Sequence, residues 1–162
     1  MNAKLLRLTA LPCLALAVAA AADTAPEHHL LASGAALKWG APPPILAAGA
    51  KFAVIDGDPA AKGNVTVRLM MPAGYSIAPH WHPTDEHVTV LSGTLGVGMG
   101  DTLDKAHATT LRTGGYVAVL ANMHHYAFTR TGATIQVHLQ GPFGLTYVNP
   151  ADDPSQSAKK SP

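Results

Sequence analysis

The most restrictive feature of the chain is a two-residue hydrophobic period that recurs between closely spaced turn signals from Lys51 onward. Between positions 64 and 71, Val65, Val67, Leu69 and Met71 fall on one side and Thr66, Arg68 and Met70 on the other. Successive side chains of an extended strand point to opposite faces, so this is a strand with one buried face. Asp56-Gly57-Asp58-Pro59 and Pro72-Ala73-Gly74 read as turns, and Ser92-Gly93 and Arg130-Thr131-Gly132 as hairpin turns. The candidate strands are 51–55, 64–71, 75–80, 86–91, 94–98, 109–111, 116–120, 125–129, 134–140 and 145–148. So many short strands, with 15 Gly and 13 Pro and little helical patterning, imply an all-β sandwich or barrel. The 162 residues, 48% of them hydrophobic, suffice for one domain with a core and exclude a wholly disordered chain.

The first 22 residues follow a different logic. Lys4 and Arg7 precede an apolar run from Leu8 to Val18, and Ala20-Ala21-Ala22 supplies small residues at a cleavage position. This is the pattern of a secretory signal peptide, and the run is short for a membrane span. The expectation is an exported, periplasmic or secreted protein with no membrane attachment after cleavage. Cleavage removes two basic residues, leaving nine basic against ten acidic, and it removes Cys13, the sole cysteine. The mature chain then has no disulfide, and any metal site must be built from His, Asp or Glu. Near-zero net charge gives no reason to expect nucleic acid as a partner.

Residues 23–50 read as an arm over the domain, with a short helix near 30–36 and with Trp39 and Ile45-Leu46 docking on the core. His28-His29 is most simply a solvated pair. Residues 51–148 form the strand-rich domain. The tail 149–162, NPADDPSQSAKKSP, is polar and Pro-rich and is expected to be flexible. Asp101 and Asp104 are expected to solvate the polar loop 100–108.

Nine histidines are many for this length, and imidazole is the commonest metal ligand. The informative stretch is 74–93, GYSIAPHWHPTDEHVTVLSG. His80 and His82 share one face of a strand, about 6–7 Å apart along the chain, and can converge on one ion. Trp81 points the other way. Pro83 interrupts the strand, and Glu86 returns on the next one as a carboxylate ligand. Parity places Glu86, Val88 and Val90 on one face and His87 and Thr89 on the other, so His87 faces outward. A fourth ligand must come from elsewhere. Only one of His124 and His125 can face inward. His107 lies in a loop, and His138 belongs to a polar row with Thr134, Gln136 and Gln140 that either lines a cavity near the site or meets solvent.

Gly74, His80, His82, Glu86 and Gly93 match every fixed position of G-x5-H-x-H-x3-E-x6-G, and here the chain resembles the cupin superfamily, in particular its small, single-domain exported members. A second motif, G-x5-P-x-G-x2-H-x3-N, is met by Gly114 and His125. Leu120, Asn122 and Thr129 stand where proline, glycine and asparagine are usual. Asn122 suits that turn, since Asn accepts positive φ better than most residues. The resemblance covers about 51–148. It implies a double-stranded β-helix, a jelly-roll barrel, with a metal held by His80, His82, Glu86 and His125. It also suggests a homodimer through sheet faces, with Trp39, Tyr126 and Phe128 as candidate surfaces.

Three imidazoles and one carboxylate suit one divalent transition metal, Fe, Mn, Ni, Co or Zn, and disfavour Cu(I) and Ca(II). An octahedral ion would keep two open positions. The leading expectation is a dioxygenase-like enzyme on a small enolic or dicarbonyl compound, with Glu86 doubling as a base; isomerases also occur among similar cupins. The second is a metal-loaded module that binds or senses a small ligand without chemistry, as a closed zinc site would suit.

Overall fold

The computed structural model describes residues 33–158. The signal-peptide segment, His28-His29 and the start of the helix expected near 30–36 lie outside the described residues; Gly34–Ala36 forms a single 3-10 turn.

Nine strands follow in chain order: β1 Lys51–Asp56, β2 Gly63–Met71, β3 Ser76–Trp81, β4 Glu86–Met99, β5 Thr109–Arg112, β6 Tyr116–Val119, β7 His125–Phe128, β8 Ala133–Gly141 and β9 Thr146–Tyr147. All their pairings are antiparallel. One sheet runs β1-β2-β8-β4-β6 and the other β9-β3-β7-β4-β5, with β4 common to both. The first half of β4 pairs with β8 and β6, the second half with β5 and β7. This curled antiparallel architecture is a jelly-roll half-barrel: all-β, as the strand pattern implied, and of the jelly-roll kind that the resemblance implied.

The expected turn at Ser92-Gly93 is instead a corner within one 14-residue strand. The register slips between Val90 and Ser92. Gly93 has φ 76°, and a Cβ there would lie 2.1 Å from the Gly132 carbonyl oxygen. Only glycine lets the two bends nest, so the chain changes sheets without leaving the ladder.

The core lies between the sheets. Val65, Val67, Leu69 and Met71 of β2 face Ile77, Leu95 and Val97 across it, beside Val88, Val90, Ile135 and Val137. Removing such side chains from water stabilises the fold by about 1.5–3 kcal/mol each. The arm is pinned to this core: Leu46 is buried, the Tyr75 hydroxyl donates to the Ala47 carbonyl at 2.7 Å, and the Tyr147 hydroxyl donates to the Ile45 carbonyl at 2.9 Å. Burial raises both phenols, Tyr75 to about 12. Trp39 is only half-buried.

Tyr126 and Phe128 are not a free surface. Each stands opposite a glycine of β4, Gly98 and Gly96, where a Cβ would fall 2.1 Å and 2.4 Å from the ring. Loop 100–108 closes over them: the Tyr126 hydroxyl donates to the Asp104 carbonyl at 2.7 Å, and Lys105 and Arg130 sit over the Phe128 ring. Both rings are buried within the chain, so they are core residues and not themselves an exposed surface. Residues 150–158, expected to be flexible, carry a 3-10 turn Pro150–Asp152 capped by the Asn149 side chain and a short helix, α1 Pro154–Ala158. No described helix is long and apolar enough to cross a membrane.

Candidate metal centre

Three elements deliver the site. β3 carries His80 and ends at Trp81, just before His82; β4 begins at Glu86; and β7 begins at His125. His80 pairs directly with His125 across the β3–β7 ladder. The three imidazoles are buried, their ring centroids are 4.2–5.4 Å apart, and each offers a ligand nitrogen within 4.8 Å of the other two. Glu86 closes the group: Oε1 lies 3.6 Å from His82 Nε2 and Oε2 lies 3.3 Å from His125 Nε2.

Backbone carbonyls orient the rings. Nδ1 of His80 contacts the Ala78 oxygen at 2.8 Å, that of His82 the Gly144 oxygen at 2.6 Å, and that of His125 the Met123 oxygen at 3.1 Å. A carbonyl only accepts, so each Nδ1 must carry the proton, and each neutral ring presents a bare Nε2 lone pair. Such anchoring of the far nitrogen is what metal-ligating histidines use. His82 Nε2 is buried and has no hydrogen-bond partner. A carboxylate oxygen 3.3 Å from a lone pair on His125 is likewise two acceptors facing each other. The group is satisfied only by a cation in its midst, a proton on one ring or a metal ion. A nitrogen-and-oxygen donor set of this kind fits a divalent transition metal.

Burial, reinforced by the His125 and His82 rings, drives the His80 pKa down to about 3. In the metal-free site burial pushes the Glu86 carboxyl up, but a hydrogen bond from His125 when that ring carries a second proton, together with the positive charge on the surrounding imidazoles, outweighs it and holds it below the usual carboxylate range.

No family model matches the chain, and no curated protein matches it by sequence. Solved structures do match. The polyketide cyclase RemF of Streptomyces resistomycificus superposes with TM-score 0.66 at 15% identity, over 82% of this chain and 94% of that one. A putative acetylacetone dioxygenase of Methylibium petroleiphilum PM1 gives 0.61 at 21%, over 83% and 96%. An RmlC-like cupin of Shewanella frigidimarina gives 0.55 at 16%, over 70% and 91%. The chain has the cupin fold.

The remaining sequence-predicted histidines lie outside the cupin barrel's interior. His124 turns outward, as parity requires, and its Nδ1 meets Asp101 Oδ1 at 2.6 Å; Asp104 pairs with His107 at 2.7 Å. Asp101 and Asp104 thus do more than solvate their loop. Asp104 also accepts from the Ala106 and His107 backbone amides, and the His107 contact holds its carboxyl below the usual range. His87 faces outward, its Nδ1 2.6 Å from the Tyr116 hydroxyl. The polar row of β8 meets the outer surface: His138 bonds Thr66 and Gln136, and Arg68 bonds Gln136. His138 takes no part in the site.

Two features of the cupin site escaped sequence reasoning. One is the Gly144 carbonyl, 62 residues from His82, which carries no side-chain signal. The other is the apolar lining. Beyond the imidazoles and Glu86, the interior beside them is Ile77, Val88, Leu95, Val97, Val117 and their neighbours, with no Lys or Arg. The second motif's unusual residues also find their reasons. Asn122 has φ 63° and its amide donates to the His82 carbonyl, while buried Thr129 caps the β7–β8 turn by accepting from the Gly132 amide.

Proposed function

We propose that the chain is a metal-dependent, dioxygenase-like enzyme acting on a small enolic or dicarbonyl compound. In this reading His80, His82, His125 and Glu86 hold one divalent metal, Fe, Mn, Ni, Co or Zn. The observation that carries the reading is the convergence of three bare Nε2 atoms and a carboxylate, with His82 Nε2 buried and unpartnered. Bound there, the metal would supply Lewis acidity and a centre for dioxygen chemistry.

The chain's own residues do the rest. Glu86, whose side chain is 12% exposed, is the carboxylate at the site and the one of the four proposed ligands that solvent still reaches. Ionised near neutrality, it can accept the acidic proton between two carbonyls and so favour the enolate. The aliphatic walls exclude water, which strengthens each electrostatic contact inside. Away from the metal donors the lining is apolar and carries no Lys or Arg, which suits a substrate whose polar part is confined to the group that meets the metal. Export belongs to the same proposal: cleavage after Ala22 would leave a chain whose metal donors are His and Glu alone.

The test is elemental analysis of the mature protein, then oxygen uptake with a panel of small dicarbonyl compounds. Stoichiometric Fe, Mn, Ni or Co with uptake supports the enzyme. Tight zinc without turnover supports the alternative, a ligand-binding or sensing module, which the burial of the three imidazoles favours. Absence of metal overturns both, and N-terminal sequencing of the exported chain checks the cleavage.

A further inference from the structure

The barrel interior beside the imidazoles is not one cavity. It consists of two small lobes that share four residues, Ile77, His80, Glu86 and Ile135. Val88, Leu95, Val97, Val117 and Val119 wall one lobe. The other is walled by Val67, Leu69, Val137, Phe143 and Leu145. Ile77 projects from β3 and Ile135 from β8, one from each sheet, and both are buried. They are the only apolar side chains common to both linings.

We propose that Ile77 and Ile135 form a partition that sets the substrate range of this site, so that a ligand must carry a compact polar head at the His80–Glu86 line and one short apolar arm in each lobe. The inference rests on the metal-dependent reading above and extends it to the shape of the molecule bound.

Magnitudes fix the arm length. The space open to the centre of a water molecule is about 30 Å³ in the first lobe and about 40 Å³ in the second. One water requires roughly 10–15 Å³ on the same measure and a methylene carbon is no smaller, so the smaller lobe, which limits a symmetrical ligand, takes about two carbon atoms. A methyl or ethyl arm fits, and a propyl arm or an aromatic ring does not. Core side chains yield little to oversized groups, since packing is already near crystal density. The chemistry of the walls fixes the rest. Apart from His125 in the first lobe and His82 in the second, both assigned to the metal, the walls are apolar and carry no Lys or Arg, so arms ending in hydroxyl or carboxylate would lose their hydration without replacement. Symmetrical 1,3-diketones with short alkyl ends have the required form.

The test uses the full protein loaded with Co(II), its cobalt content measured, and titration with pentane-2,4-dione, heptane-3,5-dione and nonane-4,6-dione followed through the cobalt visible spectrum. Methyl and ethyl arms are expected to bind within about threefold of each other, and propyl arms about tenfold or more weaker. Ile135→Ala, which opens the partition, is expected to bring nonane-4,6-dione back to the affinity of the ethyl compound. Ile135→Val asks the same question with a single methyl and gives a smaller shift in the same direction if the larger change disturbs folding. Failure to take up cobalt would refute the metal reading and the inference with it. Cobalt uptake with no diketone bound, with affinity rising steadily along the series, or with the same cut-off in both variants would overturn the partition alone.

Discussion

Burial of His80 makes the stability of the metal-free protein depend on pH in a calculable way. Its pKa falls from an ordinary 6.5 to about 3 in the folded chain, chiefly because the imidazolium cannot be hydrated there. The unfolded chain binds the proton more readily, so His80's contribution is fully present above pH 6.5 and is lost as pH falls toward 3. Linkage with these two pKa values gives a loss of about 2 kcal/mol at pH 5 and about 3 kcal/mol at pH 4, relative to pH 8. The assay is urea unfolding in the presence of a chelator at several pH values, for the wild type and His80→Gln. The constant cost of the substitution drops out, because only the change with pH is compared. The variant should lose about 3 kcal/mol less than the wild type between pH 8 and pH 4. Equal losses in the two proteins would refute the argument that the ring is held neutral by burial.

His80→Ala combined with His82→Ala should abolish metal content and lower the thermal midpoint, since a metal at a hundredfold its Kd stabilises the fold by about 2.7 kcal/mol; unchanged content by elemental analysis would contradict the proposed ligands. His124→Ala should keep the metal while His125→Ala loses it, and the reverse outcome would mean that the outward Asp101–His124 pair had been misjudged. Gly98→Ala should destabilise the fold by about 1–3 kcal/mol in denaturant titration, because its Cβ has no room beside the Tyr126 ring; a neutral result would show that the ring can move. Asn122→Val should cost about 1–2 kcal/mol and Asn122→Gly far less, since a β-branched residue resists φ 63°.

Much of this architecture was legible because period-two patterning is a direct image of a half-buried strand. Val65, Val67, Leu69 and Met71 are all buried, and Glu86, Val88 and Val90 share a face opposite His87 and Thr89, as alternation demands. The clustering of His80, His82 and Glu86 was legible for the same reason, whereas preferring His125 to His124 needed the spacing of a second motif. What stayed hidden depends on partners distant in sequence. Ser92-Gly93 looks like a hairpin turn, and only the close approach of Gly132 makes it a corner inside β4. The sequence leaves Tyr126 and Phe128 open between core and interface, and only Gly98 and Gly96 lying opposite them decide for the core. The Asp101–His124 and Asp104–His107 pairs, and the helical turns at 150–158, arise where loops and tail meet neighbours that periodicity cannot name.

The imidazole rings are steered by Ala78, Met123 and Gly144 through oxygens that every amino acid possesses. A point mutation at any of those three positions changes the side chain and leaves the steering atom in place. Genetic drift can therefore rewrite most of the text around such a centre before it rotates a single ring. The orientation of these rings thus asks little of side-chain identity, which accords with a fold shared at only 15% to 21% identity with RemF and the Methylibium protein.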